Sequence, residues 1–99
     1  MMERYSSKPI ANPVVVLREE FDDWAVLFHP DTADAVGINP VGVLVWKLMD
    51  GRRTVADLAA EIRDRFAEVP ETAGEEVGAF VEELARRGFV GHRVEGLVP

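Results

Sequence analysis

The sequence contains no cysteine, so disulfide bonds, thiolate-bound zinc, iron–sulfur clusters and thiol catalysis are all excluded. It also lacks long hydrophobic runs. The N-terminus holds no apolar stretch of signal-peptide length, and no segment approaches the roughly 18 apolar residues that a membrane span requires. These absences predict a cytoplasmic protein with no membrane partner.

Side chains capable of catalysis are scarce as well. The hydroxyl residues fall in the N-terminal segment, in a turn or at helix N-caps, where none is held as a nucleophile. His29 and His92 lack a second histidine at metal-ligand spacing, and the acidic segment 19–23 lacks the ligand pattern of a calcium loop. No glycine-rich phosphate loop is present. We therefore expect no enzymatic activity, no metal and no cofactor.

The length and the charge restrict the protein further. Ninety-nine residues suffice for one small domain. Residues 1–12 and 93–99 show no periodicity, so we expect a flexible N-terminal tail, a domain over residues 13–92 and a C-terminal tail. The net charge of −7 opposes binding to nucleic acid or to an anionic membrane.

The first half of this domain has the pattern of a three-stranded meander. Predicted strands occupy residues 14–17, 24–28 and 33–38, separated by an acidic turn and by the turn His29-Pro30-Asp31-Thr32. Both faces of the middle strand are apolar, which predicts that both are at least partly covered. The third strand, which contains Gly37 and two alanines, is the predicted edge of the sheet.

The second half changes to helical periodicity. Asn39-Pro40 is a typical helix start, and Asp50-Gly51 ends a helix that is almost wholly apolar. Capping-box patterns at Thr54 and Thr72 begin two further helices, which run to about residues 67 and 87. Strands followed by helices predict an α+β fold, similar to a winged helix-turn-helix, in which a three-stranded antiparallel sheet precedes three helices.

Three functions are compatible with such a fold. A winged-helix regulator of transcription would read DNA with its third helix, yet from Thr72 to Arg87 this helix carries four glutamates and two arginines, a net charge of −2. An open strand edge beside an amphipathic helix could instead accept a peptide as an additional strand. A third possibility is that the edge pairs with a second copy, giving a monomer or a weak homodimer. Simple core packing also explains the apolar stripe of the third helix.

Several segments, taken in order, resemble the PqqD family of small peptide-binding chaperones, also called RiPP recognition elements. They span about residues 13–91 and comprise Ile38-Asn39-Pro40-Val41-Gly42, Val45-Trp46-Lys47-Leu48-Met49-Asp50-Gly51, Thr54-Val55 and the stretch from Val77 to Val90. The opening from Val14 to Thr32 is also similar to PqqD-like proteins of SynChlorMet-type peptide-modification cassettes.

This resemblance implies a non-catalytic chaperone that binds the leader of a ribosomally synthesised precursor peptide and presents it to a modifying enzyme, often a radical SAM enzyme. In the family the leader adds antiparallel to the third strand and packs against the third helix. Carried onto this chain, the peptide-binding residues are Ala33, Asp34, Ala35, Val36, Gly37, Ile38, Val77, Phe80, Val81, Leu84 and Arg87. We expect Asp34 and Val36 to face the peptide, although a shift of one residue would substitute Ala35 and Gly37.

Overall fold

The structure, a computed structural model, describes residues 8–66 and 68–93. Its elements in chain order are β1 (Lys8–Ala11), β2 (Val16–Glu19), β3 (Ala25–His29), β4 (Asp34–Ile38), α1 (Pro40–Leu48), α2 (Val55–Arg65), α3 (Ala73–Arg86) and β5 (Val90–Arg93). The predicted α+β order, a three-stranded sheet followed by three helices, is confirmed. Within the described ranges no helix is long and apolar enough to cross a membrane.

The β2–β3–β4 sheet is an antiparallel meander with β3 at its centre. Leu27 of β3 lies opposite Leu17 and Val36. Leu27 is fully buried, so these positions mark the face of the sheet that packs on the helices. Strand β4 pairs only with β3 among the described strands, as predicted for an edge strand.

The turn between β2 and β3 is tight and acidic. Asp22 and Asp23 both have left-handed backbones, with φ of 56° and 64°, and the Trp24 N–H donates to the Phe21 carbonyl at 3.2 Å. Two consecutive residues with positive φ characterise a type I′ turn, in which Asn-Gly or Asp-Gly is the preferred pair. Asp-Asp therefore holds this turn at a conformational cost.

The turn between β3 and β4 shifts the start of the edge strand by one residue. The Ala33 N–H donates to the His29 carbonyl at 2.8 Å, and Ala33 has a φ of 61°. The prediction that Ala33 is the first residue of the third strand is therefore wrong. Strand β4 begins at Asp34, because a left-handed residue cannot continue an extended ladder.

The helices begin and end mostly as their sequences predict. Asn39 Oδ1 accepts from the Gly42 N–H at 2.8 Å, and Thr54 forms a complete capping box with Asp57. The capping box predicted at Thr72 is wrong, since its backbone is not extended and its hydroxyl donates to the Glu76 carboxylate at 2.7 Å instead.

The C-terminal end of α3 is held by a Schellman motif. Gly88 has a φ of 81°, and its N–H donates to the Ala85 carbonyl at 3.1 Å. The Phe89 N–H donates to the Leu84 carbonyl at 2.9 Å. The motif turns the chain so that Phe89 becomes fully buried in the core.

A second, two-stranded sheet corrects the prediction for the N-terminal segment. Residues 8–11, expected in a flexible tail, form β1, which pairs antiparallel with β5. The Ala11 N–H also donates to the Met49 carbonyl at 2.9 Å, and the Gly51 N–H donates to the Pro9 carbonyl at 3.1 Å. These hydrogen bonds join backbone groups, so the side-chain pattern of the sequence does not predict them. The rest of the two expected tails, residues 1–7 and 94–99, lies outside the described residues.

The core lies between the inner face of the meander and the three helices. Its most deeply buried large side chains include Leu27, Leu58, Ile62, Leu84 and Phe89. The outer face of the meander differs from expectation, because Val16, Trp24 and Phe28 keep 53%, 53% and 40% of their surface exposed. Among the described residues, the helices cover only one face of this sheet.

Candidate functional site

The free edge of β4 is open to approach. Ala35 and Gly37 are exposed, and a side chain added at Gly37 would meet no atom within 4 Å. Along an edge strand, alternate residues turn their backbone N–H and C=O groups away from the sheet. These groups offer an incoming extended segment a ladder of hydrogen bonds.

The side chains of β4 divide between the two faces of the sheet. Ile38 is buried and Val36 is half-buried against the core, whereas Ala35 and Gly37 point to the outer face. Asp34 shares the inner face and reaches the end of α3. Asp34 and Val36 are thus on the helix side of the edge, and their expected contact with a peptide stays a prediction.

The predicted residues of α3 separate into buried and accessible groups. Val77, Val81 and Leu84 are 4%, 1% and 1% exposed, so they belong to the core that the amphipathic pattern also allowed. Phe80 is half-buried, and the Arg87 side chain retains 32% of its surface. Of this set, Phe80 and Arg87 are the two side chains that keep a substantial exposed surface.

A bidentate ion pair joins the end of α3 to the start of β4. Arg87 donates through Nε and Nη2 to the two carboxylate oxygens of Asp34, at 2.7 and 2.6 Å. The hydrogen bond from Arg87 holds the pKa of Asp34 below its usual range, although burial opposes this effect. The same bond raises the pKa of Arg87. The pair fixes the distance between β4 and α3 at this end.

A cavity of about 450 Å³ opens at the other end of β4. We call it the β4–α3 cavity. It lies between the end of β4, the start of α1, the end of α2 and the first half of α3. Its apolar lining includes Ile38, Val41, Ile62, Phe66, Val69, Val77 and Phe80, and its acidic residues are Glu68 and Glu76.

The sequence analysis does not predict this cavity, although a glycine within α1 indicates the close packing beside it. Gly42 interrupts the apolar α1, and a Cβ there would lie 3.1 Å from Ile38 Cβ and 3.4 Å from Phe80 Cζ. Gly42 therefore lets the Phe80 ring approach the first turn of α1 closely. Phe80 therefore belongs both to the predicted peptide-binding residues of α3 and to the lining of the β4–α3 cavity.

No nucleophile–base pair lines this cavity, whose residues are apolar except for two carboxylates and Asn39. Within residues 8–66 and 68–93, no group of three or more His, Asp or Glu side chains is placed to hold a metal ion. The geometry thus provides an apolar recess beside a free strand edge, an arrangement suited to binding an extended chain.

Comparison with known protein families adds to this geometry. The family model described as Coenzyme PQQ synthesis protein D (PqqD) matches residues 25–90. This chain belongs to the PqqD family. A relative from Pseudomonas aeruginosa (strain UCBPP-PA14), named PqqA binding protein, is 37% identical over 83 residues, which cover 77% of this chain and 87% of the relative. A relative of the same name from Pseudomonas paraeruginosa (strain PA7) is 39% identical over 71 residues, covering 65% of this chain and 75% of the relative.

Solved structures share the PqqD fold of this chain at lower sequence identity. TbiB1 in complex with the TbiA(beta) leader peptide superimposes with a TM-score of 0.67 at 22% identity, covering 91% of this chain and 99% of TbiB1. The heterocyclase TruD gives a TM-score of 0.60 at 11% identity, covering 93% of this chain but 12% of TruD. The fold therefore exists both as a small separate chain and within a much larger one.

Proposed function

We propose that this protein is a non-catalytic chaperone that binds the leader of a ribosomally synthesised precursor peptide and presents it to a modifying enzyme. The observation that carries the proposal is the free edge of β4 next to the β4–α3 cavity. The leader adds as a fourth strand along β4, and its backbone supplies most of the hydrogen bonds. This mode of binding requires no catalytic group.

The β4–α3 cavity supplies selectivity for the leader sequence. A cavity of roughly 150 Å³ lined by apolar side chains can hold benzene, so a recess of about 450 Å³ has room for more than one large apolar side chain. The carboxylates of Glu68 and Glu76 are exposed in its lining. A leader that pairs a bulky apolar residue with a nearby Lys or Arg would satisfy both features.

The relatives support a peptide ligand. The Pseudomonas relatives carry the name PqqA binding protein, and the TbiB1 structure contains a leader peptide. The name and the complex describe those relatives. The open edge of β4 and the apolar cavity of this chain are suited to the same kind of ligand. We further propose a radical SAM protein as the modifying enzyme, as the resemblance to the PqqD family implies, and the cytoplasm as the site of action, as a sequence without cysteine predicts.

An NMR titration of the isotopically labelled protein tests the proposal. The ligand is the leader half of a short peptide encoded beside this protein, and a random DNA duplex is the control. We expect shifts for amides of residues 33–38 and 77–88 and for the cavity residues Gly42 and Val69. Shifts with DNA and none with the peptide would favour the winged-helix regulator instead.

A substitution pair at Ala35 tests the strand-addition register. The His29 carbonyl accepts from the Ala33 N–H and so faces β4. By alternation, the backbone of Leu27 also faces β4, where it bonds to Val36 directly opposite. The Ala35 N–H therefore points to the free edge, and Ala35→Pro removes one hydrogen bond of the new ladder and weakens leader binding more than Ala35→Ser. Isothermal titration calorimetry measures both affinities, and circular dichroism checks that each variant is folded. Equal affinities of two folded variants would contradict this register.

A further inference from the structure

The outer face of the meander ends in an exposed aromatic tip. Val16 and Phe28 lie directly opposite each other on β2 and β3 and are 53% and 40% exposed. Phe21 and Trp24 flank the type I′ turn and are 79% and 53% exposed. The half-buried Val26 lies between Phe28 and Trp24 on the outer face and connects them, and these five residues form an apolar patch, which we call the hairpin patch. Exposed apolar patches of this kind mark surfaces that a partner covers.

Carboxylates surround the aromatic tip of the hairpin patch. Glu19 pairs with Lys47 and Glu20 pairs with Arg18, each at 3.2 Å, so their charges are partly balanced. Asp22 and Asp23 are exposed and form no ion pair with any cation in the described ranges. Two uncompensated negative charges thus stand between Phe21 and Trp24.

The backbone conformation of this turn indicates that the two carboxylates serve a function. Asp22 and Asp23 occupy left-handed conformations, which Asn and Gly adopt more readily in a type I′ turn. A turn selected for stability alone would favour Asn-Gly. Asp-Asp instead retains two anions at a strained position, and such strain is found at sites with a function.

We propose that the hairpin patch docks the peptide-modifying enzyme, which contributes an apolar surface bordered by Lys or Arg side chains. The inference rests on the proposed chaperone function. The negative charge of the turn favours this occupant. A second copy of the chain would bring Asp22 and Asp23 against their own counterparts. Nucleic acid or an anionic membrane would also be repelled. A cationic border on the enzyme complements the tip.

The position of the hairpin patch fits this role. Its Phe28 lies opposite Ala35 of β4, and β4 is the strand to which the leader is proposed to add. An enzyme on the outer face therefore lies beside the bound peptide without blocking the β4–α3 cavity, which opens on the inner face. Presentation of a peptide requires this separation of the two surfaces.

The test measures binding of the purified modifying enzyme, encoded beside this protein, to the protein saturated with leader peptide. Biolayer interferometry compares the wild type with Phe21→Ser/Trp24→Ser, which removes the aromatic side chains, and with Asp22→Asn/Asp23→Asn, which removes the charges and keeps left-handed propensity. The control Glu61→Gln/Asp64→Asn makes the same change in net charge on α2, away from the hairpin patch.

We expect the aromatic variant to weaken enzyme binding by about thirtyfold or more, as for truncated hot spots. The charge variant should weaken it about tenfold at low salt and less at high salt, whereas the control stays near the wild type. Enzyme binding that is equal in all four proteins would overturn the proposal, as would an equal loss in the control.

Leader affinity separates this proposal from the proposed function. All variants should bind the leader peptide as tightly as the wild type, because none alters β4 or the β4–α3 cavity. A wild type that binds no leader would refute the chaperone function itself. Variants that self-associate less than the wild type in analytical ultracentrifugation, with enzyme binding unchanged, would assign the hairpin patch to a homodimer and overturn the inference.

Discussion

Phe80 and Val81 are neighbours on α3 that should separate peptide binding from folding. Val81 is 1% exposed and contacts the core, whereas Phe80 is half-buried and lines the β4–α3 cavity. We predict that Phe80→Ala mainly weakens leader binding and that Val81→Ala mainly lowers stability. One helix thereby provides both the test and its control.

The magnitudes follow from burial. Val81→Ala removes two buried carbon atoms and leaves a small void, which costs about 1–3 kcal/mol of unfolding free energy. A fully buried Phe→Ala costs about 3–5 kcal/mol, so the half-buried Phe80 should cost about 1–2 kcal/mol. Both variants should stay folded, because a domain of this size has about 5–15 kcal/mol of stability.

Leader affinity separates the two variants more clearly than stability does. If the leader inserts an apolar side chain against Phe80, truncation to alanine removes a hot-spot contact of about 2 kcal/mol, or a roughly thirtyfold increase in Kd. Val81→Ala should leave the Kd of the folded protein within about threefold of the wild type. Urea unfolding gives the stabilities, and fluorescence anisotropy of a labelled leader gives the affinities.

Two outcomes would refute this reasoning. An unchanged Kd in Phe80→Ala would mean that the β4–α3 cavity does not receive the leader. A large loss of affinity in a folded Val81→Ala would mean that the peptide contacts the core face of α3. Val81→Glu gives a further check, since a carboxylate buried there without a partner should unfold the domain rather than weaken binding selectively.

The remaining predictions concern the Asp34–Arg87 ion pair and the turn between β2 and β3. Because Arg87 lowers the pKa of Asp34, their pair stabilises the folded state fully above about pH 4, and the gain is lost as the pH falls through the lowered pKa. Urea unfolding from pH 7 to 2 should show a smaller loss for Asp34→Asn than for the wild type, and identical pH profiles would contradict the pairing. Asp22→Asn/Asp23→Gly should raise stability by about 0.5–1 kcal/mol, and the melting temperature in circular dichroism by about 2–8 °C. A lower melting temperature would contradict the type I′ assignment.

Local sequence signals were sufficient for most of the fold. The β-branched runs and the turn at His29-Pro30 predicted the meander, and Asn39-Pro40 and Thr54 predicted two helix starts. These signals act between residues a few positions apart, so they can be read without knowing the tertiary structure. The edge position of β4 was also predictable, because Gly37 and two alanines make a weak central strand.

Contacts between distant residues could not be predicted in this way. Strand β1 forms by pairing with β5, at the far end of the chain, and this pairing leaves no pattern in the side chains. The Asp34–Arg87 pair joins residues 53 positions apart, and either residue alone looks like a solvated charge. The burial of Val81 and the accessibility of Phe80 likewise depend on the angle at which α3 packs, which periodicity does not determine.

The two ends of the site differ in how firmly they are held. At the start of β4, the carboxylate of Asp34 and the carbonyl of Ala35 both accept from the Arg87 guanidinium, and the Schellman motif at Gly88 fixes the chain that follows. At the other end, α3 begins without a side-chain cap on its backbone N–H groups, and the β4–α3 cavity lies beside this first half of the helix. A helix anchored at its C-terminal end and uncapped at its N-terminal end can adjust where the cavity lies while β4 keeps its register. The leader should therefore gain its sequence-specific contacts near Phe80, and Arg87 should act by positioning β4 against α3.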